Sequence, residues 1–283
     1  MSKFISVTDM ETGELYSDVQ VVSKEDMDRK KKYFEQQQKY IYKGLEIREK
    51  YKEHGSFVWL LYNAGKALDL GIAPDDLTRL IFISTYMDYN NRLMLSENRL
   101  MRKSDVQKIL KTSEKTFYRF WKAITDVGLL EVQADTEELY LNTGIFRRGS
   151  AIKNEDVDRV RLYRRSIRTL YNQAKVREHK LLSYLFQAIP FVNINYNIIC
   201  YNPTETDLDL IEPMTMGDYC NIIGYSADNY RRLKTLLKKL MLNKTIVFSF
   251  VDNANGLFCY INPNVYYAGN NWDKVEVLGE FCK

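Results

Sequence analysis

Histidine is nearly missing from this chain: His54 and His179 are the only two, and neither has a cysteine or an acidic cluster at ligand spacing. An ordinary zinc centre needs ligand pairs that are therefore not there, and metal-dependent strand cleavage needs a tyrosine beside a histidine-rich cluster. Cysteine is almost as scarce. Cys200, Cys220, Cys259 and Cys282 are scattered through the C-terminal half with no Cys-x-x-Cys spacing, so buried or free thiols in a reducing cytoplasm are expected rather than a disulfide framework. No glycine-rich phosphate loop, nucleophile elbow or paired-carboxylate motif occurs. The acidic run Asp207-Leu208-Asp209-Leu210-Ile211-Glu212 falls in a loop-like insertion and reads as solvated. The expectation is a protein that is not an enzyme, with no catalytic residue, no metal and no cofactor.

Proline (5) and glycine (13) are too few for long disordered or collagen-like stretches. No segment approaches the roughly 18 consecutive apolar residues of a membrane span. Met1-Ser2-Lys3-Phe4-Ile5-Ser6-Val7 lacks the apolar core of a secretory leader, so a cytoplasmic protein without a membrane partner is expected. What remains is ordinary globular composition in a chain of 283 residues, enough for two domains with cores of their own. A net charge of +4 is too mild to demand a nucleic-acid partner by itself, so the placement of the charge has to decide.

Phe4 to Val22 reads as a hairpin turning at Glu11-Thr12-Gly13-Glu14. Ser23 with Asp26 suits a capped helix start, and Lys24 to Glu53 alternates charges around Tyr33, Phe34, Tyr40, Ile41, Leu45 and Ile47. That segment reads as a solvated helix packed on one face, or else as an oligomerisation helix or a DNA-backbone contact. The rest of the chain repeats itself. Thr85–Met94 matches Pro190–Ile199. Met101, Asp105, Val106, Ile109, Leu110 and Ser113 match Met214, Asp218, Tyr219, Ile222, Ile223 and Ser226 without a gap, and Phe117, Arg119, Phe120 and Ile124 match Tyr230, Arg232, Leu233 and Leu237. Leu141–Gly149 matches Ile261–Gly269. Insertions fall only at loop positions, as a structural repeat requires.

Within each copy the periodicity gives a short helix, a turn, a capped helix and a hairpin. In the first, Asp105–Leu110 is helical, Lys111-Thr112 turns, and Ser113 caps a helix with Phe117, Phe120, Trp121 and Ile124 inside. Gly128 stops that helix, and strands follow on either side of a tip at Glu131–Glu138. In the second, Gly224-Tyr225 turns and Ser226 caps a helix with Tyr230, Leu233, Leu236, Leu237 and Leu240 inside. Thr245–Phe250 and Leu257–Ile261 are strands joined through Asp252-Asn253-Ala254-Asn255-Gly256.

Thr85-Tyr86-Met87-Asp88-Tyr89-Asn90, Ser113–Gly128 and Ile261-Asn262-Pro263-Asn264 resemble the winged helix-turn-helix proteins of bacterial phages and plasmids, a group of replication initiators and regulators. The resemblance covers roughly residues 57–270. The Ile-Asn-Pro-Asn tail is similar to the end of the domain in plasmid replication-initiation proteins, with Thr143-Gly144 standing at that place in the first copy. It implies an α+β, mainly helical fold of two tandem winged helix-turn-helix domains behind an N-terminal β-hairpin and helix. The expected division is 1–55 for hairpin and charged helix, 56–150 and 181–283 for the two domains, and 151–180 for a basic linking helix.

Charge supports a nucleic-acid role. Arg102 to Lys122 carries seven basic residues against two acids, and Met214 to Lys244 six against two. The outward residues of the second helix in each copy are Glu114, Lys115, Thr116, Tyr118, Arg119 and Lys122, and Ala227, Asp228, Asn229, Arg231, Arg232 and Thr235. These are the candidates for base edges and phosphates. Arg119 and Arg232 could alternatively hold an ion pair inside the fold. Arg161 to Arg177 holds six basic residues and no acid, which suits phosphate contact through Arg164, Arg165 and Arg168 or simply a solvated helix face. The first tip (Glu131, Asp135, Glu137, Glu138) is acidic and would repel phosphates, with Arg147 and Arg148 placed to compensate. The expected partner is double-stranded DNA, read sequence-specifically in transcription control or replication initiation inside a bacterial host cell. The alternative is a scaffold whose winged helices dock a host or phage protein. Homodimerisation is left open.

Overall fold

In the computed structural model, which describes residues 4–20, 24–38, 55–149 and 157–269, the chain is mixed α+β and divides into the units Met1–Glu53 and His54–Lys283. In the first unit, β1 (Phe4–Thr8) and β2 (Leu15–Gln20) form the expected hairpin, pairing Thr8 with Leu15 and Phe4 with Gln20. Its turn is held by the Asp9 carboxylate, which accepts from the backbone N–H groups of Glu11 (2.8 Å) and Thr12 (3.1 Å). Helix α1 covers residues 24–38, with Tyr33 and Phe34 exposed. The remainder of the predicted long helix, including Tyr40, Ile41, Leu45 and Ile47, lies outside the described residues.

The second unit is built on a four-stranded antiparallel sheet whose centre is β3 (Phe57–Tyr62) against β9 (Asp158–Tyr163). Almost every residue of β3 is apolar and buried, as a strand covered on both faces requires. Two short strands complete the edges: β8 (Phe146–Arg147) beside β3, and β14 (Tyr266–Tyr267) beside β9. The register is symmetric about one pair. Trp59 faces Arg161, with Phe57 facing Tyr163 and Leu61 facing Arg159 on either side. Outside them Trp59 meets Arg147 and Leu60 meets Phe146, while Arg161 meets Tyr267 and Leu162 meets Tyr266. Exchanging the two central strands therefore exchanges the two edges as well.

Residues 151–180 are not one helix, contrary to the reading of that basic stretch. Asp158–Tyr163 is strand and only Arg164–Gln173 is the α-helix α5. The alternation of Arg159 and Arg161 with Val160 and Leu162 is a period of two, which sends the charged and apolar residues to opposite faces. Arg161 is nevertheless buried. Its guanidinium donates to the carbonyls of Tyr267 (3.5 Å), Ala268 (3.3 Å) and Gly269 (2.7 Å) and lies 4.6 Å from the Trp59 ring centre.

Among the helices, α2 (Pro74–Ser84) packs on α6 (His179–Gln187), and α5 lies against α2. Tyr171 of α5 stacks on Phe82 at 3.8 Å and donates its hydroxyl to the Leu110 carbonyl at 3.0 Å. A buried ion pair, Arg79 with Asp76 at 2.5 Å, lies on α2.

Each half then runs through two successive helices and a hairpin, with different additions. The first has β4 (Met94–Ser96), β5 (Arg99–Leu100), α3 (Lys103–Leu110), α4 (Glu114–Asp126), β6 (Leu130–Val132) and β7 (Leu139–Leu141). The second has α7 (Met216–Ile222), a 3-10 turn at Ala227–Asn229, α8 (Tyr230–Leu237), β10 (Met241–Leu242), β11 (Thr245–Ile246), β12 (Phe248–Asn253) and β13 (Gly256–Ile261).

The same polar frame holds both. Asn91 Nδ2 donates to the carbonyls of Leu141 (3.3 Å) and Phe146 (2.7 Å); Asn197 Nδ2 donates to those of Ile261 (3.2 Å) and Tyr266 (3.0 Å). Both asparagines are buried in the left-handed region (φ 63 and 48), which asparagine tolerates better than most residues. Asn142 and Asn262 each tie a hairpin base, donating to Gly128 and Ile246 at 2.9 Å. Asp105 and Asp218 each accept from the backbone N–H three residues earlier, closing the first turn of α3 and α7. Lys111 and Gly224 follow those helices, both with positive φ.

Two expectations need correcting. The ungapped match of Thr85–Met94 to Pro190–Ile199 puts Asn91 opposite Tyr196, whereas the hydrogen bonds put it opposite Asn197. The second loop holds one more residue before its asparagine, because Asp88 N–H bonds to Arg92 O but Asn193 N–H to Ile198 O. Ser113 caps α4 by accepting from Thr116 N–H, but Ser226 makes no side-chain cap; the chain enters α8 through the 3-10 turn, which satisfies Asn229 N–H with the Ser226 carbonyl instead.

Candidate nucleic-acid interface

Helix α4 divides cleanly. Phe117, Phe120, Trp121 and Ile124 are buried, while Lys115, Tyr118, Arg119 and Lys122 are exposed. The exposed four follow i, i+3, i+4, i+7 and so form one stripe along the helix. Tyr118 is 65% exposed. Thr116 is half-buried at the start of the stripe, its hydroxyl accepting from Ser113 Oγ at 3.0 Å. On α8 the buried residues are Leu233 and Leu237, and Arg231, Arg232 and Thr235 are exposed, as is Asn229 just before the helix. Arg231 Nε donates to the Tyr230 hydroxyl at 3.2 Å, and Thr235 Oγ1 donates to the Arg231 carbonyl at 3.0 Å. Lys238 and Lys239 continue the exposed side.

Among the described residues, no carboxylate lies within ion-pair distance of Lys115, Arg119, Lys122, Arg231 or Arg232. The alternative role of Arg119 and Arg232 in an internal ion pair is therefore not what the side chains do. The acidic tip between β6 and β7 is in part answered: Arg102 lies 3.0 Å from Glu137, and Arg92 lies 3.9 Å from Glu138. Glu131 and Asp135 stay exposed without such partners. The tip between β12 and β13, at Asp252 to Asn255, is exposed and carries one acid.

The remaining nominated arginines lie elsewhere. Arg147, in β8, is half-buried and donates its Nε to the Thr143 carbonyl at 2.6 Å. Arg165 is exposed on α5. Arg148, Arg164 and Arg168 come together in the wall of a cavity of about 520 Å³ with Tyr86 and Tyr89. These tyrosines belong to the Thr85–Asn90 motif that carries the resemblance, but nothing in their spacing announces a cavity. The site needs residues some sixty positions away in sequence.

Comparison of the chain with protein-family models, with curated proteins and with solved structures gave no match in any of the three. Among the described residues no group of three or more His, Cys, Asp or Glu is placed to hold a metal ion, and no helix is long and apolar enough to cross a membrane. Cys200, Cys220 and Cys259 are buried free thiols, and Cys282 lies outside the described residues.

Proposed function

We propose that residues 57–148 and 158–268 are two winged helix-turn-helix domains, and that α4 and α8 are recognition helices for double-stranded DNA. The observation that carries this reading is that both helices, each second in a helix–turn–helix, show solvent a row of cationic side chains with no carboxylate partner. Such rows are retained on a surface at little cost but meet phosphates well, because each contact releases condensed counterions. Lys115, Arg119, Lys122, Arg231 and Arg232 then grip phosphates, while Thr116, Tyr118, Asn229 and Thr235 reach base edges. The β6–β7 and β12–β13 hairpins are the wings. As the resemblance implies, the setting is transcription control or replication initiation of a phage or plasmid in the bacterial cytoplasm. Exposed Glu131 and Asp135 favour a protein partner for the first wing, so docking of a host or phage protein is the second reading.

The test is selection of random duplex fragments on the purified chain, followed by a salt titration on the selected sequence. With about 4–8 phosphates contacted, the log–log slope should be roughly −4 to −7. No retention of any duplex at low salt would remove the DNA reading and leave the docking one.

A further inference from the structure

Arg148, Arg164 and Arg168 form the best-defined concentration of positive charge away from the two helices. Their guanidiniums are placed by hydrogen bonds and ring contacts. Arg148 donates to the Met87 carbonyl at 2.9 Å and lies 4.4 Å from the Tyr89 ring centre. Arg168 donates to Thr85 Oγ1 (2.9 Å) and to the Thr85 carbonyl (2.7 Å), with its guanidinium 3.7 Å from the Tyr86 ring centre. Arg164 donates to the same Thr85 carbonyl and to Ser56 Oγ at 3.3 Å. A guanidinium has five N–H donors, so each of the three keeps donors that these bonds do not use. Among the described residues none has a carboxylate within ion-pair distance. Asp88, on the cavity wall, is bound instead by Arg92 at 3.0 Å, and Glu97 at the rim is exposed.

Three like charges half-buried together are unfavourable on their own. Burial first, and then the like charges of Arg148 and Arg168, push Arg164 down to about 10. Nor does the frame of the fold call for them. At the corresponding place in the second half, Ala268 replaces Arg148, and the Pro190 carbonyl is satisfied by the backbone N–H of Gly65 rather than by arginines. A cavity of about 520 Å³ lies within the range of small-ligand sites.

From this geometry we infer that the Tyr86–Tyr89–Arg148–Arg164–Arg168 cavity is a phosphate site taking a nucleotide, the phosphate between the three guanidiniums and the nucleoside against Tyr89. Arginine forks match phosphate oxygens in pairs, and Tyr89, 69% exposed at the rim, offers ring surface to a sugar or base. The nucleotide can be free or part of a DNA strand, since both carry the same group. This site is separate from α4 and α8 and does not depend on their binding duplex DNA.

Calorimetric titration of the full chain with inorganic phosphate, a nucleoside monophosphate and a short single-stranded oligonucleotide tests it. Saturable binding of phosphate is expected, with the monophosphate about tenfold tighter. Arg148→Ala installs the residue found at the corresponding place in the second half, so it should still unfold in one cooperative transition above the assay temperature and bind each probe about tenfold more weakly or worse. Tyr89→Ala should weaken the monophosphate and leave phosphate alone. An oligonucleotide that binds more tightly than the monophosphate and displaces it identifies a DNA strand as the source; a monophosphate that binds more tightly identifies the free nucleotide. No saturation by any probe, or equal binding by Arg148→Ala and the unaltered chain, would overturn the inference. Duplex selection by α4 and α8 is read in a separate assay, so the two ideas fail independently.

Discussion

The two halves of the larger unit share three matching pairs of polar frame residues and differ in the helices and hairpins built around them. Asn91 and Asn197, Asn142 and Asn262, Asp105 and Asp218 make matching hydrogen bonds. By contrast α4 is a capped helix of 13 residues and α8 one of 8 entered through a 3-10 turn. The β6–β7 hairpin pairs three residues per strand and β12–β13 pairs six. The lesson is that a buried asparagine answering two carbonyls is hard to exchange, because its loss strands acceptors away from water, whereas an exposed lysine is replaced at little cost.

The comparison breaks hardest at Arg79. The Arg79–Asp76 pair belongs to the first half; in the second half α6 carries Leu181 and Tyr184 at the matching places. Arg79→Ala leaves Asp76 buried without its partner and should cost about 3–5 kcal/mol in denaturant unfolding. Next come the frame asparagines. Asn91→Ala and Asn197→Ala should each cost about 2–4 kcal/mol, from two stranded acceptors and a left-handed alanine. Equal losses support equivalence of the halves, and a loss confined to one would break it.

A third difference is titratable. His179 opens α6, whereas Pro74 opens α2. Burial, and then the Arg79 charge, bring His179 down to about 4. An unfolded histidine near 6.5 therefore binds a proton that the folded one refuses in the interval between. Stability should be full above about pH 6.5 and fall towards pH 4, by up to about 1.4 kcal/mol per pH unit. Melting curves of His179→Gln should show that slope flattened. The smallest effect concerns the caps. Ser113→Ala should cost about 1 kcal/mol and Ser226→Ala close to nothing, measurable as a difference in unfolding midpoint.

Much of this was legible in the chain. The apolar spacing of Phe117, Phe120, Trp121 and Ile124 fixes the inner side of α4, and with it the stripe of Lys115, Tyr118, Arg119 and Lys122. The hairpins follow from alternation and turn residues. Strand β9 was misread because four basic residues in Arg161–Arg168 suggest a solvated helix, while the two-residue period that marks a strand spans only six positions. Its partner β3 is about a hundred residues away, and no local pattern encodes that pairing. The arginine cavity was hidden for the same reason: Arg148 and Arg164 meet only because β3 brings β8 and β9 to its two sides. The misplaced match of Asn91 reflects one additional loop residue, which side-chain chemistry cannot locate when Asn195 and Asn197 flank a tyrosine.

The symmetric pairing of β3 with β9 about Trp59 and Arg161 gives one polypeptide the internal geometry of a two-chain assembly. Identical subunits must mutate in step, since every change appears twice, and they come apart on dilution. Two halves joined in one chain do neither. Either outward surface can drift while the other is held, and association of the halves is first order in protein, so it persists at a few copies per cell, where a bimolecular pair would be mostly apart.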